Sequence, residues 1–310
     1  MTELSNASKK KRKLSLLDNF IGIPFVAFLL LCVGQFLSMY VLSLPLNAVA
    51  EFLIPGITAT GMWFTATFYL NFLGIWIVVL LFLAATPKNR PILKALTTKT
   101  KGNTLKMFAV GLGIGLGMNL LCAFIAMLNG DIHITFDSFR PISFLFVFLA
   151  VLIQSGAEEL ICRVFVYQRM MRRYGSPVFA ALVNAAFFSL IHLGNDGAGF
   201  LPLLNIFIYG LLFSAMVIWM DSPWATMAAH ASWNFCQNIL LGLPNSGNVL
   251  PYSVFKLETA TATDSFAYSV AFGLEGTITA CVTLFAVAAL IVWWGTKHKV
   301  VPTPVWEVEA

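Results

Sequence analysis

The sequence predicts an all-α, polytopic integral membrane protein with about eight transmembrane helices and with both termini in the cytoplasm. Of its 310 residues, 59% are hydrophobic and only 11% are charged, which is more apolar surface than a soluble domain of this size usually buries. Two further observations support this class. Apolar runs are long enough to cross a bilayer, and basic residues cluster between them.

The apolar runs set the number of predicted helices. A helix needs roughly 20 residues to cross a hydrocarbon core about 30 Å thick. Helices are expected because lipid offers no hydrogen-bond partners to the backbone. The eight runs lie at about residues 19–44, 62–86, 105–128, 141–168, 177–194, 198–220, 223–242 and 269–295.

The basic residues predict the orientation. If both termini are cytoplasmic, 16 of the 19 Lys and Arg residues lie on the cytoplasmic side, as the positive-inside rule requires. Arg163 then lies within the membrane, and Arg140 and Lys256 lie outside it. The basic clusters suit binding to the lipid bilayer through its anionic cytoplasmic leaflet, so the net charge of +5 requires no nucleic acid partner.

The domain organisation follows from these spans. A basic cytoplasmic N-terminal arm (1–18) precedes a transmembrane helical domain (19–295), and a cytoplasmic C-terminal tail (296–310) follows it. The first span is expected to be retained, because its apolar run is about twice as long as that of a cleaved signal peptide. Glycines at alternate positions from 111 to 117 superficially match a dinucleotide-binding motif. They lie inside an apolar span, where small residues favour close helix packing.

The fourth predicted span contains three ionisable residues, Glu158, Glu159 and Arg163. A charge inside a membrane costs at least a few kcal/mol, so such residues usually face partners or a water-filled cavity. Glu159 and Arg163 are four residues apart, share a helical face, and are expected to form a structural ion pair. Glu158 points about 100° away and is left without a partner in its own helix. It is therefore the candidate general base.

Two other spans contribute polar residues. His192 ends the fifth span, and His230 and Asn234 are four residues apart on one face of the seventh. Glu158 lies 17 residues before a predicted turn at Gly175 and His192 lies 17 after it, so these two are expected at one depth. His230 reaches that depth if the turn near residue 221 lies about 12 Å deeper than the Gly175 turn.

In chain order, these residues form the motifs Glu-Glu-x-x-x-Arg (158–163), Phe-x-x-x-His (188–192) and His-x-x-x-Asn (230–234). Together they resemble the CPBP family of intramembrane proteases, also called the Abi family. This family includes the CAAX prenyl endopeptidases and the bacteriocin-processing or self-immunity proteins. The resemblance covers residues 142–241, about a third of the chain. Each motif alone is weak evidence, but three in the correct order are specific.

The resemblance implies an intramembrane endopeptidase that hydrolyses a peptide bond near the cytoplasmic side of a bacterial plasma membrane. Glu158 and His192 would activate water, and His230 and Asn234 would stabilise the oxyanion. These roles suit the residue types, because peptide hydrolysis needs a base for water and donors for the developing charge. A neutral imidazole and an amide can supply such donors. The substrate would be a peptide or a membrane-anchored protein.

The resemblance also raises the question of a metal. The family is commonly described as metalloproteases, and Glu158, His192 and His230 are candidate ligands for zinc or another divalent metal with a fourth position open. The sequence lacks His-Glu-x-x-His, so a metal-free glutamate mechanism is equally compatible with these residues.

Two non-enzymatic alternatives remain at this stage. A catalytically silent family member would act as a membrane regulator or a bacteriocin self-immunity protein. A transporter would use buried acids and histidines to relay protons, but it would be expected to show an internal repeat. No second Glu-Glu cluster occurs in the N-terminal half.

Overall fold

Nine helices make up most of the computed structural model, which describes residues 17–307. Residues 1–16 and 308–310, which include most of the predicted basic arm, lie outside that range. The helices are α1 (Gly22–Leu53), α2 (Gly61–Leu70), α3 (Leu73–Ala85), α4 (Leu105–Leu128), α5 (Pro141–Tyr174), α6 (Pro177–Leu190), α7 (Phe200–Trp219), α8 (residues 223–240) and α9 (Ile278–Lys297).

Six helical segments in the described part of the chain are long and apolar enough to cross a membrane. These are α1, α2 with α3, α4, α5, α7 and α9. Helix α6 has 14 residues, or about 21 Å of helix, which is shorter than a hydrocarbon core of about 30 Å. The all-α character of the spans is therefore confirmed, whereas eight crossings and their orientation stay predictions.

Several predicted spans differ from the observed helices. Helix α1 continues past residue 44 through Pro45, after a π-helical turn at Ser38–Leu42. A widened turn can accommodate a proline, which lacks the N–H of an ordinary helical residue. The second predicted span breaks at residues 71–72 into α2 and α3. The last helix begins at Ile278, because residues 269–277 form turns and a short 3₁₀ helix.

The structure also contains a small antiparallel sheet, which the all-α prediction did not include. Strand β1 (Ile134–Phe136) pairs with β2 (Phe255–Leu257), and Thr135 lies opposite Lys256. Strands of three residues are too short to produce a hydropathy signal. The sheet ties the connection after α4 to the connection after α8 at one end of the molecule. Further 3₁₀ helices are Ile57–Ala59, Arg90–Leu96 and Leu274–Gly276.

Close packing of α4 against α8 sets the position of the seventh predicted span. A Cβ atom on Gly111 would lie 2.2 Å from the carbonyl oxygen of Ala225, and one on Gly115 would lie 2.0 Å from that of Ala229. Only glycine allows the two backbones to come this close. The interpretation of the glycine stripe as a packing surface is therefore confirmed at these two positions.

Candidate active site

Glu159 and Arg163 form an enclosed ion pair on α5. Arg163 Nη1 donates to Glu159 Oε1 over 3.0 Å, and both side chains are 0% exposed. The guanidinium carbon also lies 4.4 Å from the centre of the Phe188 ring and 5.2 Å from that of Phe213. Cation–π contacts of this kind stabilise a desolvated guanidinium. The pair is therefore enclosed by other side chains and does not line the cavity described below.

Helices α5 and α8 become π-helical directly after Glu159 and Asn234. Helix α5 is π-helical from Leu160 to Val166, immediately after Glu159, and α8 is π-helical from Phe235 to Leu240, immediately after Asn234. A π turn uses i→i+5 hydrogen bonds and often occurs at functional sites. It changes which of the following residues share a helical face. A periodicity of 3.6 residues could not indicate this.

His230 lies between two carboxylates. Its Nδ1 is 3.0 Å from Glu159 Oε1, and its Nε2 is 3.6 Å from Glu158 Oε2. The Phe213 ring lies 5.4 Å from the imidazole, centre to centre, and the Phe188 ring lies 5.9 Å from it. These aromatic neighbours restrict rotation of the imidazole. Its Nε2 edge is thereby held towards Glu158.

Glu158 has a partner in its own helix, contrary to expectation. Gln154 Nε2 donates to Glu158 Oε1 over 2.8 Å. The other carboxylate oxygen, Oε2, is buried and accepts no hydrogen bond from the described residues. A buried acceptor without a donor is unfavourable unless a further molecule satisfies it. This oxygen is therefore suited to accept a hydrogen bond from a water molecule.

Asn234 belongs to a network of amides and a hydroxyl group. Its Nδ2 donates to Gln154 Oε1 over 3.2 Å and to Ser155 Oγ over 3.3 Å, and its Oδ1 accepts from Asn245 Nδ2 over 3.3 Å. These distances are at the long end of the range for N–H···O hydrogen bonds. A more strongly charged acceptor could replace one of them.

His192 lies in the turn after α6, because the helix ends at Leu190 and not at residue 194 as predicted. Its Nδ1 lies 2.7 Å from the Phe188 carbonyl oxygen. An acceptor at this distance places the proton on Nδ1 in the neutral ring, so Nε2 remains as a free lone pair. His192 makes no direct hydrogen bond to Glu158, but both line the same cavity.

That cavity has a volume of about 510 Å³ and includes the four predicted catalytic residues in its lining: Glu158, His192, His230 and Asn234. Its wall also contains residues from the connections between α6 and α7 and between α8 and α9. The prediction that the site lies near the cytoplasmic side rests on the orientation of the chain in the membrane, which itself stays a prediction.

Glu275, which precedes α9, is enclosed by hydrogen-bond donors. It is 5% exposed and accepts hydrogen bonds at Oε1 from Trp233 Nε1 over 3.0 Å and from Asn245 Nδ2 over 3.3 Å. At Oε2 it accepts from the Ser246 N–H over 2.8 Å and from the Ser246 hydroxyl over 2.6 Å. Asn245 thereby links Glu275 to Asn234. An acidic residue beside an apolar run was the only signal in the sequence.

Glu275 precedes α9, and its enclosed position affects the pKa of its carboxyl group. Burial raises the pKa of this carboxyl above its ordinary value, although the two Ser246 hydrogen bonds act in the opposite direction. Charge-assisted bonds from a hydroxyl and a backbone N–H are the interactions that keep a buried carboxylate ionised.

Among residues 17–307, no group of three His, Cys, Asp or Glu side chains has a geometry that could hold a metal ion. Both ring nitrogens of His230 already face carboxylate oxygens, at 3.0 and 3.6 Å. Binding of zinc or another divalent metal by Glu158, His192 and His230 stays a prediction.

The helices are long and apolar enough to cross a membrane, and they enclose a cluster of acids, imidazoles and amides. These two features define the protein as a membrane protein with a candidate acid–base site. Residues 140–236 match the family model for Rce1-like type II CAAX prenyl endopeptidases. The chain thus contains a domain of this protease family, within the CPBP or Abi group. The match includes every residue of the three motifs and ends before Asn245 and Glu275. No curated protein matches the chain.

Proposed function

We propose that this protein is an intramembrane endopeptidase in which Glu158, His192, His230 and Asn234 carry the reaction. One observation supports the proposal above all others. These four side chains, which come from α5, α8 and the turn after α6, line one cavity. Each polar group is costly to enclose in an apolar bundle, and peptide hydrolysis uses all four.

Water activation is assigned to Glu158. Its Oε2 atom is buried without a hydrogen-bond donor among the described residues, as is Oε2 of Glu159, but only Glu158 of these two lines the cavity. A water molecule bound there would donate to a carboxylate. The carboxylate takes one proton as the water oxygen attacks the peptide carbonyl. His192 supports this step by accepting the second hydrogen of the water at Nε2, because its Nδ1 already donates to the Phe188 carbonyl.

Stabilisation of the oxyanion is assigned to His230 and Asn234. The 3.0 Å contact between His230 Nδ1 and Glu159 requires a proton on Nδ1 when Glu159 is ionised. With that proton on Nδ1, His230 can donate from Nε2 to an oxyanion only when the ring carries a proton on both nitrogens. Asn234 donates from Nδ2 once the oxyanion displaces one of its two long bonds. Donors of this kind are worth most in an enclosed site.

Bond cleavage completes the cycle. The tetrahedral intermediate collapses, the carbon–nitrogen bond breaks, and the proton held by Glu158 passes to the leaving amine. The steps assigned here use protein side chains and water alone. Glu159 and Arg163 keep the imidazole in place and do not contact the substrate.

The test compares the membrane and secreted peptides of cells that express the wild type, Glu158→Gln or Glu258→Gln. Glu258 is an exposed acid in the connection after α8 and serves as the matched control. We expect at least one cleaved terminus to be present with the wild type and the control and absent with Glu158→Gln. Identical peptide populations in all three strains would refute the proposal.

A further inference from the structure

The basic residues of the protein gather at one end of the helices, which we call the basic end. Among residues 17–307, 11 of the 14 Lys and Arg residues lie in segments 88–106, 169–173 and 297–299. The C-terminal segment joins these parts. The Thr303 hydroxyl accepts from the Lys101 N–H over 3.3 Å, and the Trp306 ring lies 5.6 Å from the Arg172 guanidinium.

The N-terminal side of α1 belongs to the same end. Asp18 forms an ion pair with Arg169, and the Tyr174 hydroxyl accepts a hydrogen bond from the Phe20 N–H over 2.9 Å. The turn between α7 and α8 is also there, because Asp221 accepts from the N–H and the hydroxyl of Thr303, at 2.8 and 2.6 Å. Every connection with a basic cluster thus meets on one face.

The cavity lies towards the other end. Its wall includes Asn195, in the connection that follows α6, and Asn245, Ser246 and Asn248, in the connection that follows α8. Both helices begin at the basic end, so these connections are at the opposite end. Helix α6 stops after about 21 Å, and this leaves space that the polar connections occupy in place of helix.

A second pocket, of about 450 Å³, indents the basic end as far as Tyr167, but packed side chains separate it from Glu158. Sixteen residues of α5, about 24 Å of helix, separate Glu158 from Tyr174. Within that layer, Arg163, Met170, Met216 and Ala228 are all 0% exposed. Protein interiors packed in this way leave few voids larger than a water molecule. A peptide could not reach the site from that end without opening the helices.

We propose that the cavity opens on the side of the membrane opposite to the cytoplasm. Basic connections face the cytoplasm in membrane proteins, and here the cavity is at the other end. The substrates are then exported peptides or the outer, membrane-proximal segments of anchored proteins, and not C-terminal peptides in the cytoplasm. This substrate class rests on the proposed peptidase function. The direction in which the cavity opens does not.

Thiol labelling tests the direction without requiring activity. The background is Cys32→Ala with Cys281→Ala, because the other three cysteines are buried. Three single cysteines are introduced: Ile191→Cys in the cavity wall, Asn248→Cys near its mouth, and the exposed Thr98→Cys at the basic end. Each variant is treated with a membrane-impermeant cationic thiol reagent, in intact cells and in inverted vesicles, and adducts are counted by mass.

We expect one adduct per chain on Ile191→Cys and Asn248→Cys in intact cells, and on Thr98→Cys only in inverted vesicles. Labelling of Ile191→Cys from the Thr98 side alone, or from neither side, would overturn the proposal. Peptides are then supplied to each face of vesicles that contain the wild type. Cleavage from the Thr98 face would also overturn it. Absence of cleavage from both faces, with the expected labelling, would refute the peptidase function and leave the direction intact.

Discussion

His230 and Arg163 share one acceptor: His230 Nδ1 and Arg163 Nη1 each lie 3.0 Å from Glu159 Oε1. The histidine lines the cavity, whereas the arginine is 0% exposed behind it. A single carboxylate oxygen therefore connects the surface where chemistry is proposed to the packed interior. Changes to the enclosed pair should affect both the stability of the fold and the position of the imidazole.

Removal of the guanidinium tests this connection. Arg163→Ala leaves Glu159 as a buried charge beside an imidazole alone, and loss of one partner of a buried pair costs roughly 3 to 5 kcal/mol. We expect a lower yield of folded protein from detergent extracts and a lower thermal midpoint. Arg172→Ala, which changes an exposed arginine, should behave as the wild type. Equal stability of the two variants would show that the pair does not support the fold.

The proposed base is tested by the change that keeps its shape. Glu158→Gln should reduce peptide hydrolysis by roughly 10²-fold or more, as is typical when general base catalysis is lost. Its thermal midpoint should stay near that of the wild type, because Gln154 can still bond to the amide. Full turnover by Glu158→Gln would remove this residue from the mechanism. Cellular function that persists without any cleavage would favour a silent regulator.

The proposed oxyanion donor is tested together with the acid behind it. Asn234→Ala should reduce turnover by about 10² to 10³ with little change in KM, because its amide would act in the transition state. Glu275→Gln weakens the bonds that hold Asn245 against Asn234, so it should reduce turnover less. If Glu275 acts through Asn234, the double variant should be no slower than Asn234→Ala. If the double variant instead loses turnover by the product of the two single factors, the two residues act independently.

Two glycines on one helix give a matched pair for packing. Gly115→Ala would place a Cβ atom 2.0 Å from the Ala229 carbonyl oxygen, whereas a Cβ atom on Gly113 meets nothing within 4 Å. Both changes gain the same helix propensity, so their difference reports the contact between α4 and α8. We expect Gly115→Ala to be less stable than Gly113→Ala by about 1 to 3 kcal/mol, the usual cost of overpacking. Similar thermal midpoints would contradict the close packing.

Metal removal distinguishes the two mechanisms that the sequence left open. Since His230 already contacts two carboxylates, we expect turnover to be unchanged after extended dialysis against a strong chelator. Added zinc should not increase it. Loss of activity on chelation, followed by recovery with a divalent metal, would show that the side chains rearrange around an ion.

The sequence predicted the membrane class, the approximate helix positions and the residues of the three motifs. Hydropathy and charge report the surroundings of each segment along its own length, and they are sufficient for this purpose. Glu159 and Arg163 are four residues apart, so their contact could also be predicted from one helix. The helix ends were less predictable, because Pro45 and residues 269–277 depend on local geometry that apolar composition does not reveal.

Only the tertiary structure decided which distant groups meet. The contact between Glu159 and His230 joins residues 71 apart in the chain, and that between Asn205 and Glu275 joins residues 70 apart. Helical periodicity cannot indicate the neighbours of a helix, nor that Glu275 lies 5% exposed behind Asn245. The end of the helices towards which the cavity lies was likewise decided by packing. The short α6 and the polar connections leave space at one end, and close-packed side chains fill the other.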